Sequence, residues 1–159
     1  MSNPIGVPHP VTLDASFVIG LCAREPKKYT KAQVELSHRI ANGCPLHAPH
    51  LMIMEATYVL CGKQQSGELT HAEHATAVVN LQLLSAGIIF PTGGDVVLLP
   101  RAEQMRQSYG CSRSADSFYI ALAEQLAASG ASELLTFDAG QQKQAAAVSP
   151  NITVILLTT

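Results

Sequence analysis

The chain has 159 residues, of which 47% are hydrophobic and 14% are charged. This composition excludes a disordered chain and a coiled coil, because the apolar material can offset the entropy of ordering and the Glu- and Lys-rich heptads of a coiled coil are missing. Ten Lys and Arg against twelve Asp and Glu give a net charge of −2, and 5% of the residues are aromatic, with no Trp. Nucleic-acid binding through overall positive charge or through a platform of stacked aromatic rings is therefore excluded, whereas a local basic patch is not.

Cysteine spacing and the distribution of apolar residues indicate a cytoplasmic protein. No two cysteines form a C-x-x-C pair, which excludes zinc-finger and thioredoxin-like motifs, and their apolar surroundings predict buried, reduced thiols at Cys22, Cys44, Cys61 and Cys111. The first residues have neither a basic region nor a long apolar run, so we expect no signal peptide. The late apolar run over 152–157 is far shorter than the roughly 20 residues of a membrane span.

Short apolar segments alternate with helical segments along the chain. Strands are predicted over 11–13, 46–49, 88–91, 134–137 and 152–157, the last of them buried. Helices are predicted over 15–23, from an N-cap at Thr30 to 41, 50–64, from a capping box at 70–73 to 85, around 103–105, 114–129 and 141–147. This alternation predicts a single α/β domain with three layers, in which helices cover both faces of a parallel sheet.

Acidic residues occur where such a sheet would carry its ligand site. Asp14 and Asp138 each follow directly on a predicted strand, so both should lie at the carboxyl edge of the sheet, and Asp116 falls in the first turn of the helix from 114. Glu55 lies in a predicted helix that is apolar on all sides, and such a helix is expected to be buried. A carboxylate there would be costly unless it is paired, protonated or bound to a cation.

Each acid also has a purely structural explanation. Asp14 would serve as a helix N-cap, Asp116 would complement a helix dipole, and Asp138 would form a turn. Glu55 would pair with Arg113 or Lys63. The four acids together favour a metal site, because clustered carboxylates repel one another unless a cation neutralises them. Oxygen ligands of this kind select Mg²⁺ or Mn²⁺ over Zn²⁺.

Four segments in this order and spacing resemble the PIN-domain ribonucleases, and most of all the small VapC-like toxins of bacterial toxin–antitoxin pairs. They are 11–19, the helix that holds Glu55, 114–123 and 133–138. The resemblance extends over 11–157. It implies a three-layer α/β/α sandwich with a mainly parallel five-stranded sheet, formed by one PIN-like domain over 1–159 with its core at 11–157.

The resemblance also implies a site and an activity. The catalytic and metal-holding residues would be Asp14, Glu55, Asp116 and Asp138, with Ser16 and Thr136 as supporting residues. The cofactor would be Mg²⁺ or Mn²⁺ and the reaction the hydrolysis of RNA phosphodiester bonds. Whether Glu55 is a ligand or orients the attacking water stays open, as does the number of metal ions.

Basic residues near these acids have two interpretations. Arg113 lies three residues before Asp116 and would contact a substrate phosphate or pair with an acid of the site. A cluster of basic residues follows the first helix and is more typical of a solvated loop than of an RNA contact: Arg24, Lys27, Lys28 and Lys31.

Two hypotheses follow for the function. The first is a metal-dependent endoribonuclease, such as the toxin of a toxin–antitoxin pair, with RNA as substrate, an antitoxin protein as partner and a homodimer formed through the apolar surface around 78–84. The second is a non-catalytic PIN-like module that binds RNA or protein. The presence of all four acids favours the enzyme. Motifs for zinc proteases and P-loop enzymes are missing, and no Ser-His-Asp set is evident.

Overall fold

The computed structural model describes residues 7–112 and 115–159 and contains one five-stranded sheet. Its strands are β1 (Val11–Leu13), β2 (Leu46–His47), β3 (Ile88–Ile89), β4 (Glu133–Thr136) and β5 (Thr153–Leu156). The strand order is β3-β2-β1-β4-β5, and every neighbouring pair is parallel. The predicted parallel five-stranded sheet is thus confirmed.

Seven α-helices accompany this sheet within the described residues. They are α1 (Ala15–Cys22), α2 (Tyr29–Ala41), α3 (Leu51–Gln65), α4 (His71–Ala86), α5 (Leu99–Ser108), α6 (Asp116–Ala127) and α7 (Ala139–Val148), with a 3-10 helix (Asp95–Leu98) before α5. Thr70 and Glu73 form the predicted capping box of α4. Helices between parallel strands must pack on the faces of the sheet, so the fold is α/β and consistent with a three-layer sandwich.

The central strand β1 is fully buried, and its neighbours β2 and β4 lie on opposite sides of it. From β1 the chain moves outward to β2 and β3, and it then returns to the other side of β1 as β4. Leu13 is paired with Leu135 in this register. The order of strands therefore reverses between β1 and β4, and open α/β sheets bind their ligands at such a point, beyond the carboxyl ends of the strands.

The structure corrects the expectation that the helix around Glu55 is buried on all sides. Only one face of α3 is buried, through Met52, Ala56 and Leu60. Met54 and Tyr58 are 72% and 82% exposed. An outer helix of a layered fold packs one face on its neighbours and exposes the other to solvent. Apolar side chains are common on exposed faces, so the apolar sequence of α3 did not imply burial on all sides.

Three smaller predictions are also wrong. Thr30 is not an N-cap, because α2 already begins at Tyr29. The last strand is not buried: β5 is an edge strand with one exposed and three half-buried residues. Of the cysteines, Cys22 and Cys44 are buried as expected, whereas Cys61 and Cys111 are exposed.

None of the helices in the described part of the chain is long and apolar enough to cross a membrane.

Candidate active site

Asp14 lies where β1 ends and α1 begins, and both oxygens of its carboxylate accept hydrogen bonds. The backbone N–H of Phe17 donates to Oδ1 over 2.8 Å, so Asp14 is the N-cap of α1. The hydroxyl of Ser16 lies 2.8 Å and 2.9 Å from the two oxygens, and the hydroxyl of Thr136 donates to Oδ2 over 2.6 Å. The structural role suggested for Asp14 as a helix cap is therefore present, and its carboxylate lies beyond the end of β1.

Ser16 and Thr136 also connect this carboxylate to the end of β4. The Ser16 hydroxyl oxygen accepts a hydrogen bond from the backbone N–H of Phe137 over 2.9 Å. The Thr136 hydroxyl oxygen accepts one from the backbone N–H of Asp138 over 2.8 Å. The two hydroxyl groups predicted to support the site thus fix the carboxyl ends of β1 and β4 against each other.

Burial of the Asp14 carboxylate changes its acidity. Its removal from solvent raises the pKa of Asp14 to about 7, although the hydrogen bonds from Thr136, Phe17 and Ser16 act in the opposite direction. The negative charge of Asp116 also contributes to this upward shift of the pKa. A buried carboxylate beside another acid, held by neutral donors, has a strong electrostatic preference for a cation.

Glu55 lies on α3 and is half-buried, and its carboxylate contacts α6. The hydroxyl of Tyr119 donates a hydrogen bond to Oε2 of Glu55. Burial raises the pKa of Glu55, the bond from Tyr119 lowers it, and the charge of Asp116 raises it. Of the two basic partners considered as an alternative for Glu55, Lys63 is wrong, because it forms ion pairs with Glu25 and Glu68.

Asp116 is the first residue of α6, and its negative charge acts on two of the other acids. It raises the pKa of both Asp14 and Glu55, so Asp116 lies within electrostatic reach of each of these two carboxylates. Its position in the first turn also suits the positive end of the helix dipole.

Asp138 completes this edge of the sheet as the N-cap of α7. Its Oδ1 accepts hydrogen bonds from the backbone N–H groups of Gly140 over 2.7 Å and Gln141 over 3.4 Å. Through Thr136 it is only one hydrogen-bonding residue away from Asp14. The sequence-predicted placement of Asp14 and Asp138 at the same edge agrees with the structure.

The contacts of these carboxylates bear on whether they suit a metal ion. Among residues 7–112 and 115–159, no three His, Cys, Asp or Glu side chains are grouped so as to hold a metal ion. Asp14 and Asp138 cap helices, and Glu55 accepts from Tyr119. The chemistry of the donors nevertheless fits Mg²⁺ or Mn²⁺, which prefer carboxylate oxygens, and a cation would offset the cost of the buried Asp14 charge.

A family model of the PIN domain matches residues 11–147 of the chain. The chain belongs to the PIN domain family. PIN domains are typically nucleases, and PIN-domain nucleases generally use divalent metal ions. Among solved structures, the crystal structure of PAE2754 from Pyrobaculum aerophilum is similar, with 18% sequence identity, a TM-score of 0.50, and 96% of this chain and 92% of that chain covered. The comparison with curated proteins finds no match.

Two residues near the acids of this PIN domain escaped the sequence analysis. Tyr119 donates a hydrogen bond to Glu55, and Asp95, at the start of the 3-10 helix, caps α3 through the backbone N–H groups of His50 and Leu51. A tyrosine in an aliphatic helix was a signal for the first, because a buried phenol needs a hydrogen-bond partner. Nothing in the sequence pointed to the second.

Two of the basic residues considered as substrate contacts, Arg113 and Lys28, differ in what the structure describes of them. Arg113 lies outside the described residues. The Lys28 ammonium group lies 5.6 Å from the ring centroid of Phe137, the residue before Asp138, and forms an ion pair with Glu25 over 2.8 Å. Of the basic cluster after α1, Lys28 is thus placed beside the end of β4.

Proposed function

We propose that the chain is a divalent-metal-dependent endoribonuclease that hydrolyses RNA phosphodiester bonds. One observation carries the proposal: the buried carboxylate of Asp14 lies at the strand-order reversal, within electrostatic reach of Asp116, which also acts on Glu55. An arrangement of like charges at a ligand-binding edge is stabilised by a divalent cation. The membership of the PIN family supports the same activity.

In this proposal the metal is held by Asp14, Glu55, Asp116 and Asp138, directly or through water. When bound, the divalent ion lowers the pKa of a coordinated water and neutralises charge on the phosphate. Ser16 and Thr136 hold the Asp14 carboxylate in one orientation, so that little reorganisation of the site is needed on binding. Lys28, beside Phe137, is placed to contact a substrate phosphate at the rim of the site.

A circular RNA tests this activity, because only an endonuclease can open a molecule without ends. We expect the protein to linearise it with Mg²⁺ or Mn²⁺ and not with EDTA. Asp116→Asn should abolish cleavage while its melting curve without metal stays cooperative, and the exposed-acid control Glu68→Gln should cleave as the wild type does. Cleavage retained by Asp116→Asn would refute the assignment, and RNA binding without cleavage by the wild type would favour a non-catalytic PIN-like module.

We further propose that the protein is a single-domain cytoplasmic toxin of a toxin–antitoxin pair and forms a homodimer. The outer face of α4 supports self-association, because no charged residue lies between Glu73 and Gly87 while Val79 and Leu83 are exposed. Leu83→Glu should therefore shift a wild-type dimer to the monomer in sedimentation velocity. Expression of the wild type, but not of Asp116→Asn, should arrest growth of a bacterial host if the toxin assignment is right.

A further inference from the structure

Glu55 is held by a side chain that no sequence motif assigned to the site. Tyr119 lies on α6, one turn after Asp116, and is almost fully buried. Its hydroxyl donates to Oε2 of Glu55 across 64 positions of sequence. A rigid, buried phenol fixes the position of its hydroxyl, so it restricts a glutamate side chain that otherwise has three freely rotating bonds.

The donor on Glu55 is also neutral, and this matters for cation binding. A lysine or arginine in the place of Tyr119 would neutralise the carboxylate and compete with a cation for it. A tyrosine hydroxyl orients one oxygen and leaves the negative charge of Glu55 in place.

The helix that carries Glu55 is fixed at its amino end by a second long-range contact. The N-cap position of α3 is His50, whose side chain makes no capping hydrogen bond. The two oxygens of Asp95, the first residue of the 3-10 helix before α5, instead accept from the backbone N–H groups of His50 and Leu51, each over 2.7 Å. The ring of Phe90 stacks on His50 at 4.7 Å between centroids. Glu55 lies one turn beyond this cap.

We propose that Tyr119 and Asp95 are positioning residues for Glu55: Tyr119 orients its carboxylate and Asp95 fixes the end of its helix, so that one oxygen is directed at the candidate metal. This inference rests on the proposed function. It assigns a role to the chain's remaining aspartate, which the family resemblance left without one.

Calorimetric titration with Mn²⁺ tests the role of Tyr119 without any RNA. Loss of an outer-shell partner typically lowers metal affinity about 10- to 100-fold, so we expect Tyr119→Phe to weaken Mn²⁺ binding by at least about tenfold. In a Glu55→Gln background the same substitution should cause no further loss, because its effect acts through Glu55. Tyr58 lies on the exposed face of α3, the helix that carries Glu55. Tyr58→Phe is therefore the matched control and should leave the affinity for Mn²⁺ unchanged.

A pair of helix-cap variants tests the role of Asp95. Asp95→Ala removes the cap of α3, and Thr70→Ala removes the cap of α4, which carries none of the candidate ligands. Both should lower the melting temperature without metal. Only Asp95→Ala should also weaken Mn²⁺ binding, and Asp95→Asn, which keeps one acceptor oxygen, should recover part of it.

The outcomes separate this inference from the proposed function. If the wild type binds Mn²⁺ and Asp116→Asn does not, the proposed metal-dependent function is supported, whatever the results for the other variants. If Tyr119→Phe then binds Mn²⁺ as the wild type does, or weakens it equally in the Glu55→Gln background, the role of Tyr119 is overturned. Equal loss of affinity in Asp95→Ala and Thr70→Ala would overturn the role of Asp95. Absence of Mn²⁺ binding by the wild type would overturn both proposals.

Discussion

The hydroxyl of Thr136, the last residue of β4, donates a 2.6 Å hydrogen bond to Oδ2 of Asp14, the residue that follows β1. The same hydroxyl oxygen accepts from the backbone N–H of Asp138. One side chain thereby joins two adjacent parallel strands at their carboxyl ends. It also sets the separation of the two acids that leave those strands.

Replacement of Thr136 by its apolar isostere should therefore destabilise the protein. Thr136→Val removes the donor to the buried Asp14 carboxylate and the acceptor of the Asp138 N–H. A buried polar group that loses its partner costs about 1–3 kcal/mol, and the Asp14 carboxylate is the buried one. Thr12 on β1 provides the matched control: it is equally buried, and its hydroxyl has no hydrogen-bond partner among the described residues. Urea unfolding should show a loss for Thr136→Val and a neutral or stabilising effect for Thr12→Val, whereas equal effects would contradict this account.

Asp14 should make the metal-free protein less stable as the pH rises. Its pKa is about 7 in the folded protein against 3.8 in the unfolded chain, so the folded state holds a proton that the unfolded state releases between these values. The stabilisation of the folded state by the neutral Asp14 side chain is fully present below pH 3.8 and is lost as the pH rises through about 7. Each unit of pKa difference corresponds to about 1.4 kcal/mol of unfolding free energy.

The difference between the wild type and Asp14→Asn isolates this effect from other titrating groups. Urea unfolding in EDTA should show that Asp14→Asn loses less stability than the wild type between pH 5 and pH 8. Addition of Mn²⁺ should stabilise the wild type at pH 8 more than the variant, because the cation offsets the buried charge. Parallel pH profiles for the two proteins would show that the Asp14 carboxylate is not destabilised by its burial.

The sequence predicted the acids at strand ends better than it predicted their partners. Asp14 and Asp138 follow strands, and parallel strands end at one edge, so local patterns were sufficient to bring these residues together. The bond between Tyr119 and Glu55 joins residues 64 positions apart, and it depends on how α3 and α6 are packed, which no local pattern encodes. The exposure of Met54 was missed for a similar reason. The identity of an apolar residue does not show whether it lies on the solvent face of a helix or in the core.

The cysteines should react in two classes, because two are exposed and two are buried. Burial raises the pKa of the Cys22 thiol to about 12, so very little reactive thiolate forms at neutral pH. An Ellman titration of the native protein should modify two thiols, Cys61 and Cys111, and four after denaturation. Cys61→Ser should lower the native count from two to one and the denatured count from four to three. Rapid modification of all four thiols in the native protein would contradict the buried positions of Cys22 and Cys44.

At the opposite end of β4 from Thr136, Glu133 forms a buried ion pair. Its Oε2 accepts from Nε of Arg39 over 2.8 Å and lies 3.0 Å from Nε2 of His9. Burial acts to raise the pKa of Glu133, but the hydrogen bond from His9 and the charge of Arg39 outweigh it, so that the pKa is lowered. The pH dependence of stability is therefore opposite to that at Asp14. The stabilisation that ionised Glu133 contributes is present above pH 4.5 and is lost as the pH falls through its lower pKa in the folded protein.

Removal of one partner should therefore cost much more than removal of both. Arg39→Met removes the arginine charge and leaves the buried Glu133 carboxylate with His9, 3.0 Å away, as its remaining partner. Breaking a buried pair in this way typically costs about 3–5 kcal/mol. Arg39→Met combined with Glu133→Leu removes both charges and should recover most of that loss, since well-packed apolar residues often replace a buried pair without cost. Urea unfolding of the two single variants and the double variant at pH 7 measures the coupling. Additive losses in the double variant would mean that Arg39 and Glu133 contribute independently, contrary to the contact between them.

Because this pair lies at the amino end of the strands, away from the acids at their carboxyl ends, Mn²⁺ affinity should stay at the wild-type level in the double variant.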